Sequence, residues 1–151
     1  GGGRDTAHII TRGFAVEPTD GTAEIAVQAE ALLGRPVRVM RFGELAATDR
    51  YDAIWASASL LHVPRGDLPD VLARIHRALK AGGLHFASYK GGGCEGRDRF
   101  GRYFNYFSRE ELEAVYRASA RWDGLDLTES LGGGYDGMQG PWVQITVRRP
   151  P

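Results

Sequence analysis

The sequence is poor in cysteine and has no long apolar run. Cys94 is its only cysteine, so the chain cannot build a disulfide framework or a thiolate zinc cluster by itself. No stretch of about 18 apolar residues occurs and no basic-then-apolar leader is present, which argues against a membrane span and against secretion. We therefore expect a cytoplasmic protein with no metal centre.

The chain also lacks an excess of charge of either sign. Nineteen basic residues balance nineteen acidic ones, so no overall field attracts a polyanion, and neither nucleic acid nor a membrane is an expected partner. A length of 151 residues with 42% apolar content suits one domain over residues 1–151. The expected oligomeric state is a monomer or a homodimer.

Short apolar runs alternate with segments of helical period, and this order predicts an α/β fold with a mostly parallel twisted sheet, helices on both faces and a C-terminal antiparallel hairpin. The predicted strands are residues 13–17, 37–40, 51–56 and 84–89, followed by the hairpin of 125–128 and 142–147. The predicted helices are residues 22–33, 67 to the glycines at 82–83, and 108–119, the last with a capping box.

Two stretches carry further expectations. Residues 51–56 are nearly all apolar after Asp52, which is typical of a strand covered on both faces. Residues 90–105 show little periodicity and predict a long loop that contacts substrate or acts as a lid.

The chain opens on a glycine turn that runs directly into a helical pattern, and such bare backbone lets a ligand approach the amide groups. Asp20 follows Gly3 by seventeen residues, at the tip of the next predicted strand, where a carboxylate can accept hydrogen bonds from both ribose hydroxyls. The alternative is that Asp20 only caps the helix that begins near Thr22.

Two nucleotide-binding motifs are missing. A dinucleotide fingerprint needs a third glycine three residues after the second, and Thr6 occupies that position. No phosphate loop of the G-x-x-x-x-G-K-[ST] type is present. A dinucleotide oxidoreductase and a nucleoside triphosphatase are therefore disfavoured.

Five blocks of sequence together carry a family resemblance. They are Gly1-Gly2-Gly3-Arg4-Asp5-Thr6, Asp20-Gly21, Phe42-Gly43-Glu44-Leu45, residues 51–64 (YDAIWASASLLHVP) and residues 79–84 (LKAGGL). With these blocks the chain resembles the class I S-adenosylmethionine-dependent methyltransferases, which have a Rossmann-like fold, and among them the small tellurite-resistance-like members. The resemblance covers essentially the whole chain.

The resemblance implies a role for each matching residue. The methionine part of the cofactor would lie on Gly1 and Gly3, and its ribose would bind at the tip formed by Asp20 and Gly21. The other implied contacts are Arg41, Phe42 and Gly43 beside the adenine, and Ala56 and Ser57 near the sulfonium. Arg41-Phe42 replaces an acidic residue that the family often has, and a place in the core is an alternative role for Phe42.

The family motif begins with a strand that ends in an acidic residue, whereas this sequence begins after that point. Its fold is therefore expected to lack the first strand of the family, unless residues upstream of Gly1 supply it. An absent central strand would leave backbone groups of two neighbouring strands unpaired.

His62 follows the predicted strand 51–56 and is the candidate general base, because histidine titrates in the useful range; packing without chemistry is the alternative. Residues 96–107 hold three arginines and five aromatics, from which Arg102 and Tyr103 are the candidate substrate contacts. Surface ion pairs with aromatics closing the core, or stacking on single-stranded nucleic acid, are alternatives for this stretch. His85 lies in a strand pattern and is assigned no chemistry.

The predicted activity is transfer of a methyl group from S-adenosylmethionine to a small-molecule nucleophile by in-line displacement, with no metal. Two alternatives remain open. One is an NAD(P)-dependent oxidoreductase. The other is a catalytically silent domain that binds a nucleoside cofactor as a sensor.

Overall fold

A computed structural model of the protein describes residues 1–134 and 137–151. The chain divides into two compact units, Gly1–Leu45 and Ala46–Pro151. No helix among the described residues is both long enough and apolar enough to cross a membrane.

The first unit contains two helices and two short parallel strands. Helix α1 spans Arg4–Thr11, strand β1 Thr19–Asp20, helix α2 Ala23–Leu33 and strand β2 Arg38–Val39. The α2 residues Ala26 and Ala29 pack with Val37 as the core of this unit. Helix α2 ends on Gly34, in the left-handed region at φ 61°, as expected for a helix that stops at glycine.

The strand predicted at residues 13–17 is wrong, because pairing occurs two residues further along. Thr19 pairs with Arg38 and Asp20 with Val39, in parallel. A strand forms only where a second backbone offers donors and acceptors, and β2 pairs with Thr19 and Asp20, with the Arg38 amide donating to the Pro18 carbonyl at 3.0 Å. Phe14, whose apolar side chain suggested the strand, is 66% exposed.

The second unit is built on a mixed four-stranded sheet in the order β3-β4-β8-β7. The strands are β3 Tyr51–Ala56, β4 Leu79–Lys90, β7 Asp123–Gly133 and β8 Gln139–Arg148. β3 runs parallel to β4, whereas β4 and β7 are antiparallel to β8. The predicted α/β class and the C-terminal antiparallel pair are confirmed.

Strand β3 has the predicted bounds but not the predicted burial. It lies at one edge of its sheet, and Ala56 is its only buried residue. Trp55 is 54% exposed and stacks on Phe86 of β4, with ring centroids 4.1 Å apart. The expectation of a strand covered on both faces is therefore wrong.

Helix α3, Leu68–Ala78, packs the predicted apolar stripe into the core of the second unit. Leu68, Val71, Leu72, Ile75 and Leu79 are all buried. The helix ends at Ala78, before the glycines that were predicted to end it, because β4 already begins at Leu79. Gly82, at φ 76°, instead lies within the irregular pairing of β4 with β3.

The stretch 90–105 contains a small antiparallel pair, β5 Gly96–Arg97 and β6 Tyr103–Phe104, where only a loop was predicted. Helix α4 follows at Arg109–Ser119 with the predicted capping box. The Ser108 hydroxyl accepts from the Glu111 amide at 3.2 Å, and the Glu111 carboxylate accepts from the Ser108 amide at 2.9 Å. Helices α3 and α4 pack on one another, with α3 also against β4.

Candidate functional site

The glycine turn of the first unit begins beside Asp20. Gly3 precedes α1 at φ 90°, a conformation that side-chain-bearing residues rarely adopt. A Cβ there would lie 3.3 Å from Cγ of Leu33, a tight contact, but it is the positive φ that favours glycine at this position. The backbone nitrogen of Gly1 lies 2.5 Å from Oδ2 of Asp20. The turn and the carboxylate, separated by nineteen positions, therefore meet.

Asp20 also bonds to Thr22, the N-cap residue of α2. Its Oδ1 accepts the backbone amide of Thr22 at 2.8 Å, at the start of α2, whereas the Thr22 side chain makes no capping bond. Its carbonyl accepts from the Met40 amide at 2.9 Å, which ties the tip of β1 to the end of β2. One oxygen supports the helix, and the other faces the glycine turn.

The predicted adenine-side residues lie next to this tip. A Cβ on Gly21 would lie 3.8 Å from Cα of Arg41, so the two residues are neighbours. Phe42 and Gly43 belong to a short 3-10 turn, Phe42–Glu44, which the Glu44 carboxylate closes by accepting the Arg41 amide at 2.7 Å. Phe42 is 40% exposed, which favours ligand contact over a place in the core.

In the second unit, Ala56 and Ser57 stand at the carboxyl end of β3. Ala56 is buried, and Ser57 is exposed. The next residue, Ala58, has φ 48°, and its amide donates to the Ser88 hydroxyl at 2.8 Å. A non-glycine residue held in the left-handed region costs of the order of 1 kcal/mol and marks backbone that its surroundings over-determine.

His62 ends a second 3-10 turn, Leu60–His62, and its side chain is exposed. Its Nδ1 lies 2.8 Å from the carbonyl oxygen of Tyr103. Because a carbonyl only accepts, the proton of the neutral ring resides on Nδ1 and the lone pair on Nε2. No described residue bonds to Nε2. The imidazole is therefore oriented to accept a proton.

Both candidate substrate residues already have partners within their own segment. The Arg102 guanidinium is 2.6 Å from the Asp98 carboxylate and lies over the Phe104 ring. Partial desolvation raises the pKa of Asp98, but hydrogen bonds from Arg102 and from backbone amides outweigh this, and the pKa is lowered. The Tyr103 hydroxyl donates to Glu95 at 2.6 Å. Desolvation, followed by Glu95, raises the pKa of Tyr103.

Arg65 is a residue that the sequence reasoning missed. Its guanidinium donates to three carbonyls and to one carboxylate, those of Gly93, Asn105, Tyr106 and Glu111. It also lies over the Phe107 ring at 4.4 Å. Arg65 thus fastens the segment after β4 to the turn that carries His62. Its position directly after the family-like block 51–64 was the available signal, but arginine is so frequent in this chain that residue type alone did not distinguish it.

A buried polar chain in the second unit was also missed. His85 Nδ1 donates to the Ile54 carbonyl at 3.0 Å, its Nε2 accepts from the Tyr116 hydroxyl at 3.0 Å, and Tyr116 accepts from the Tyr89 hydroxyl at 3.1 Å. All three side chains are fully buried. Desolvation lowers the pKa of His85 to about 4, with the Ile54 carbonyl acting in the opposite sense. Burial also raises the pKa of each tyrosine.

The fold is similar to those of several solved methyltransferase structures. A S-adenosylmethionine-dependent methyltransferase from Methanosarcina mazei aligns with a TM-score of 0.87 at 17% identity, over 99% of this chain and 89% of that one. The 1,6-didemethyltoxoflavin-N1-methyltransferase of Burkholderia thailandensis, solved with bound 1,6-didemethyltoxoflavin and S-adenosylhomocysteine, aligns with a TM-score of 0.78 at 23% identity, over 100% of this chain and 68% of that one. TehB of Haemophilus influenzae aligns at 0.77 and 14% over 99% and 55%. No curated protein sequence matches the chain.

These structures share the Rossmann-like methyltransferase fold, so the predicted fold is confirmed. The methyltransferase domain family model matches residues 1–87, which is more than half of the chain. The protein belongs to this methyltransferase family, within the class of enzymes that use S-adenosylmethionine as methyl donor.

Proposed function

We propose that the protein transfers a methyl group from S-adenosylmethionine to a small-molecule nucleophile. The observation that carries this proposal is the meeting of the Gly1–Gly3 turn with the Asp20 carboxylate in the first unit. A glycine bend beside one acidic side chain at a strand tip suits a small molecule with an amino-acid end and a ribose.

The residues of the first unit fit that cofactor. Gly3, at φ 90°, gives the turn a backbone conformation that residues with side chains rarely adopt, and the absence of side chains at Gly1–Gly3 permits close backbone approach. The Asp20 carboxylate would accept the ribose hydroxyls, and Gly21 would leave space at the tip. The half-exposed Phe42 would contact the adenine, with Arg41 and Gly43 bordering it. In the second unit, Ala56 and Ser57 would line the sulfonium end.

S-adenosylmethionine, when bound, supplies a methyl group on a sulfonium whose departure as a neutral thioether is already favourable. The protein therefore needs to position the acceptor, exclude water and remove a proton. His62 would accept that proton at Nε2, because its Nδ1 already donates to the Tyr103 carbonyl.

Several finer points belong to the same proposal. A small-molecule acceptor fits the neutral overall charge of the chain. Kinship with the tellurite-resistance-like members is supported by the sequence blocks and by the fold similarity to TehB. Arg102 and Tyr103 would contact the acceptor, given that they adjoin the carbonyl that orients His62. We also infer a single domain over residues 1–151 and a cytoplasmic site of action, consistent with one unpaired cysteine.

The first test separates binding from catalysis at His62. His62→Gln removes the base but keeps a polar side chain of similar length. We expect turnover against a panel of acceptors to fall roughly 10²–10⁴-fold, the usual contribution of a general base. Calorimetric titration should show unchanged affinity for S-adenosylhomocysteine. The matched control is His8→Gln, since His8 is an exposed histidine of α1. Wild-type turnover by a folded His62→Gln variant would remove His62 from the mechanism.

The same titration tests the cofactor against the alternatives. Binding of S-adenosylhomocysteine, with no heat from a nicotinamide dinucleotide, would support the proposal over an oxidoreductase. Binding without turnover of any acceptor in the panel would favour the sensor function instead.

A further inference from the structure

We propose that Asn105 is a positioning residue for His62, which it fixes with Nδ1 protonated and Nε2 available. The inference deepens the proposed function and rests on it. It assigns a role to a residue outside the family-like blocks.

Asn105, which directly follows β6, forms hydrogen bonds to the turn that contains His62. Its backbone amide donates to the Leu61 carbonyl at 2.9 Å. Its side-chain Nδ2 donates to the Leu60 carbonyl at 3.0 Å and to the Val63 carbonyl at 3.1 Å. These three acceptors flank His62 in sequence, so the backbone on both sides of the histidine is held by one residue.

The two residues before Asn105 hold the imidazole itself. The Tyr103 carbonyl accepts from Nδ1 at 2.8 Å. The Phe104 ring packs against the imidazole, with centroids 4.5 Å apart and planes inclined by 59°. Three consecutive residues therefore fix the position of His62, the tilt of its ring and the location of its proton.

The amide of Asn105 has only one orientation that satisfies this turn. Both Nδ2 hydrogens are used, and rotation of the amide by half a turn would place Oδ1 against two carbonyl oxygens. Oδ1 is buried, and no described residue donates a hydrogen bond to it. The side chain therefore keeps its two donated bonds to the turn even though its own acceptor is buried without a partner among those residues.

The segment that carries Asn105 is itself held rigidly. Arg65 donates from Nε to the Asn105 carbonyl at 2.8 Å and from Nη2 to the Tyr106 carbonyl at 3.0 Å. Tyr106 lies at φ 41°, a strained value for a tyrosine, and its carbonyl also accepts from the Gly93 amide at 2.8 Å. A support fixed in this way can hold a side chain to the precision that proton transfer requires.

The proposal is tested by the tautomer of His62, which nitrogen NMR of the imidazole reports without any turnover. Free neutral imidazole prefers its proton on Nε2. In the wild-type protein we expect the Nδ1-protonated form, and in Asn105→Ala a shift of the population towards the Nε2-protonated form. Turnover should fall at least about tenfold, and by no more than the roughly 10²–10⁴-fold that a general base contributes.

A matched control separates positioning from loss of stability. Tyr116→Phe also removes buried hydrogen bonds, those to His85 and Tyr89, from a fully buried residue that does not contact His62. We expect it to lower the free energy of unfolding while leaving the His62 tautomer and the turnover unchanged. Asn105→Ser, which keeps one donor, serves if the alanine variant does not fold, and it should give an intermediate tautomer ratio.

The outcomes distinguish this proposal from the catalytic one. An Nε2-protonated His62 in the wild type, or an unchanged tautomer in a folded Asn105 variant, would overturn the positioning role. A changed tautomer with wild-type turnover would support the positioning of the ring by Asn105 and would contradict the role of His62 as base.

Discussion

At the scale of single residues, Asp20 carries most of the argument for the cofactor. Its carboxylate meets the glycine turn through one oxygen and supports the start of α2 through the other. An Asp20→Ala variant would not separate these two roles, because it would remove the helix support together with the ligand contact. An isosteric change is therefore the informative one.

Asp20→Asn keeps the shape of the side chain and removes its charge. Hydrogen bonds to charged groups contribute about 1.5–3 kcal/mol, so we expect affinity for S-adenosylhomocysteine to fall roughly 10- to 100-fold in a calorimetric titration. The control is Glu24→Gln, which removes the same charge from an exposed position of the neighbouring helix α2. Equal affinities for the wild type and the asparagine variant would contradict the ribose contact.

At the scale of elements, a buried series of hydrogen bonds from Tyr89 through Tyr116 to His85 joins three elements of the second unit. It links β4 to α4 by hydroxyl groups and ends on the carbonyl of Ile54 in β3. Because that carbonyl only accepts, every proton along the chain has a fixed direction, from Tyr89 towards β3. The hydrogen bond from the Tyr116 hydroxyl to Nε2 of His85 forms only while His85 is neutral, since a protonated ring could not accept from Tyr116.

This arrangement predicts a pH dependence of stability. Burial lowers the pKa of His85 to about 4 in the folded protein, from an ordinary value of 6.5 for a solvated imidazole. Between these values the unfolded chain binds the proton more readily, so stability present above pH 6.5 is lost as the pH falls towards 4. The loss from this group is about 3 kcal/mol, measurable by denaturant unfolding across this range.

His85→Gln is the comparison for that measurement. The variant is less stable at neutral pH, but its free energy of unfolding should decline less steeply between pH 6.5 and 4, because the titrating group is gone. His8→Gln, at an exposed position, controls for the removal of a histidine. If the His85 variant and the wild type have parallel pH profiles, the buried ring does not cause the acid sensitivity.

The elements that could be predicted from sequence are those whose signals are local. The capping box of Ser108 with Glu111 spans three residues, and the apolar stripe of α3 repeats every three or four, so neither needs knowledge of distant partners. The exposure of β3 could not be read this way, because Trp55 is apolar whether its strand is central or at an edge. Likewise, the strand at Thr19 is defined by Arg38, nineteen positions away.

The residues of the candidate site likewise differ in whether a local sequence signal identifies them. Gly3, Asp20 and His62 belong to short motifs and could be named from the sequence. Asn105 acts on a turn more than forty residues earlier, and only contacts across space reveal it. Its one sequence signal was that no other asparagine occurs in the chain.

At the scale of the whole molecule, ligand binding should appear as stability. A ligand present at about 100 times its dissociation constant raises the free energy of unfolding by about 2.7 kcal/mol. We therefore expect S-adenosylhomocysteine to raise the melting temperature by roughly 5–10 °C, as expected for a chain of about 150 residues. Differential scanning calorimetry or fluorimetry measures this shift.

Two control measurements test whether this shift in melting temperature is specific to the proposed cofactor site. A nicotinamide dinucleotide at the same concentration should leave the melting temperature unchanged, and Asp20→Asn should reduce the shift produced by S-adenosylhomocysteine. A rise in melting temperature with the dinucleotide would instead favour the NAD(P)-dependent oxidoreductase.

The singular asparagine also has a consequence for chemical ageing. Asparagine side chains deamidate when the next backbone nitrogen attacks the amide carbon, and they are among the thermolabile groups of proteins. Here the chain offers only Asn105, whose amide is immobilised by two carbonyls and whose successor, Tyr106, is held at a fixed positive φ. Slow spontaneous deamidation is thus expected to spare this protein during prolonged storage.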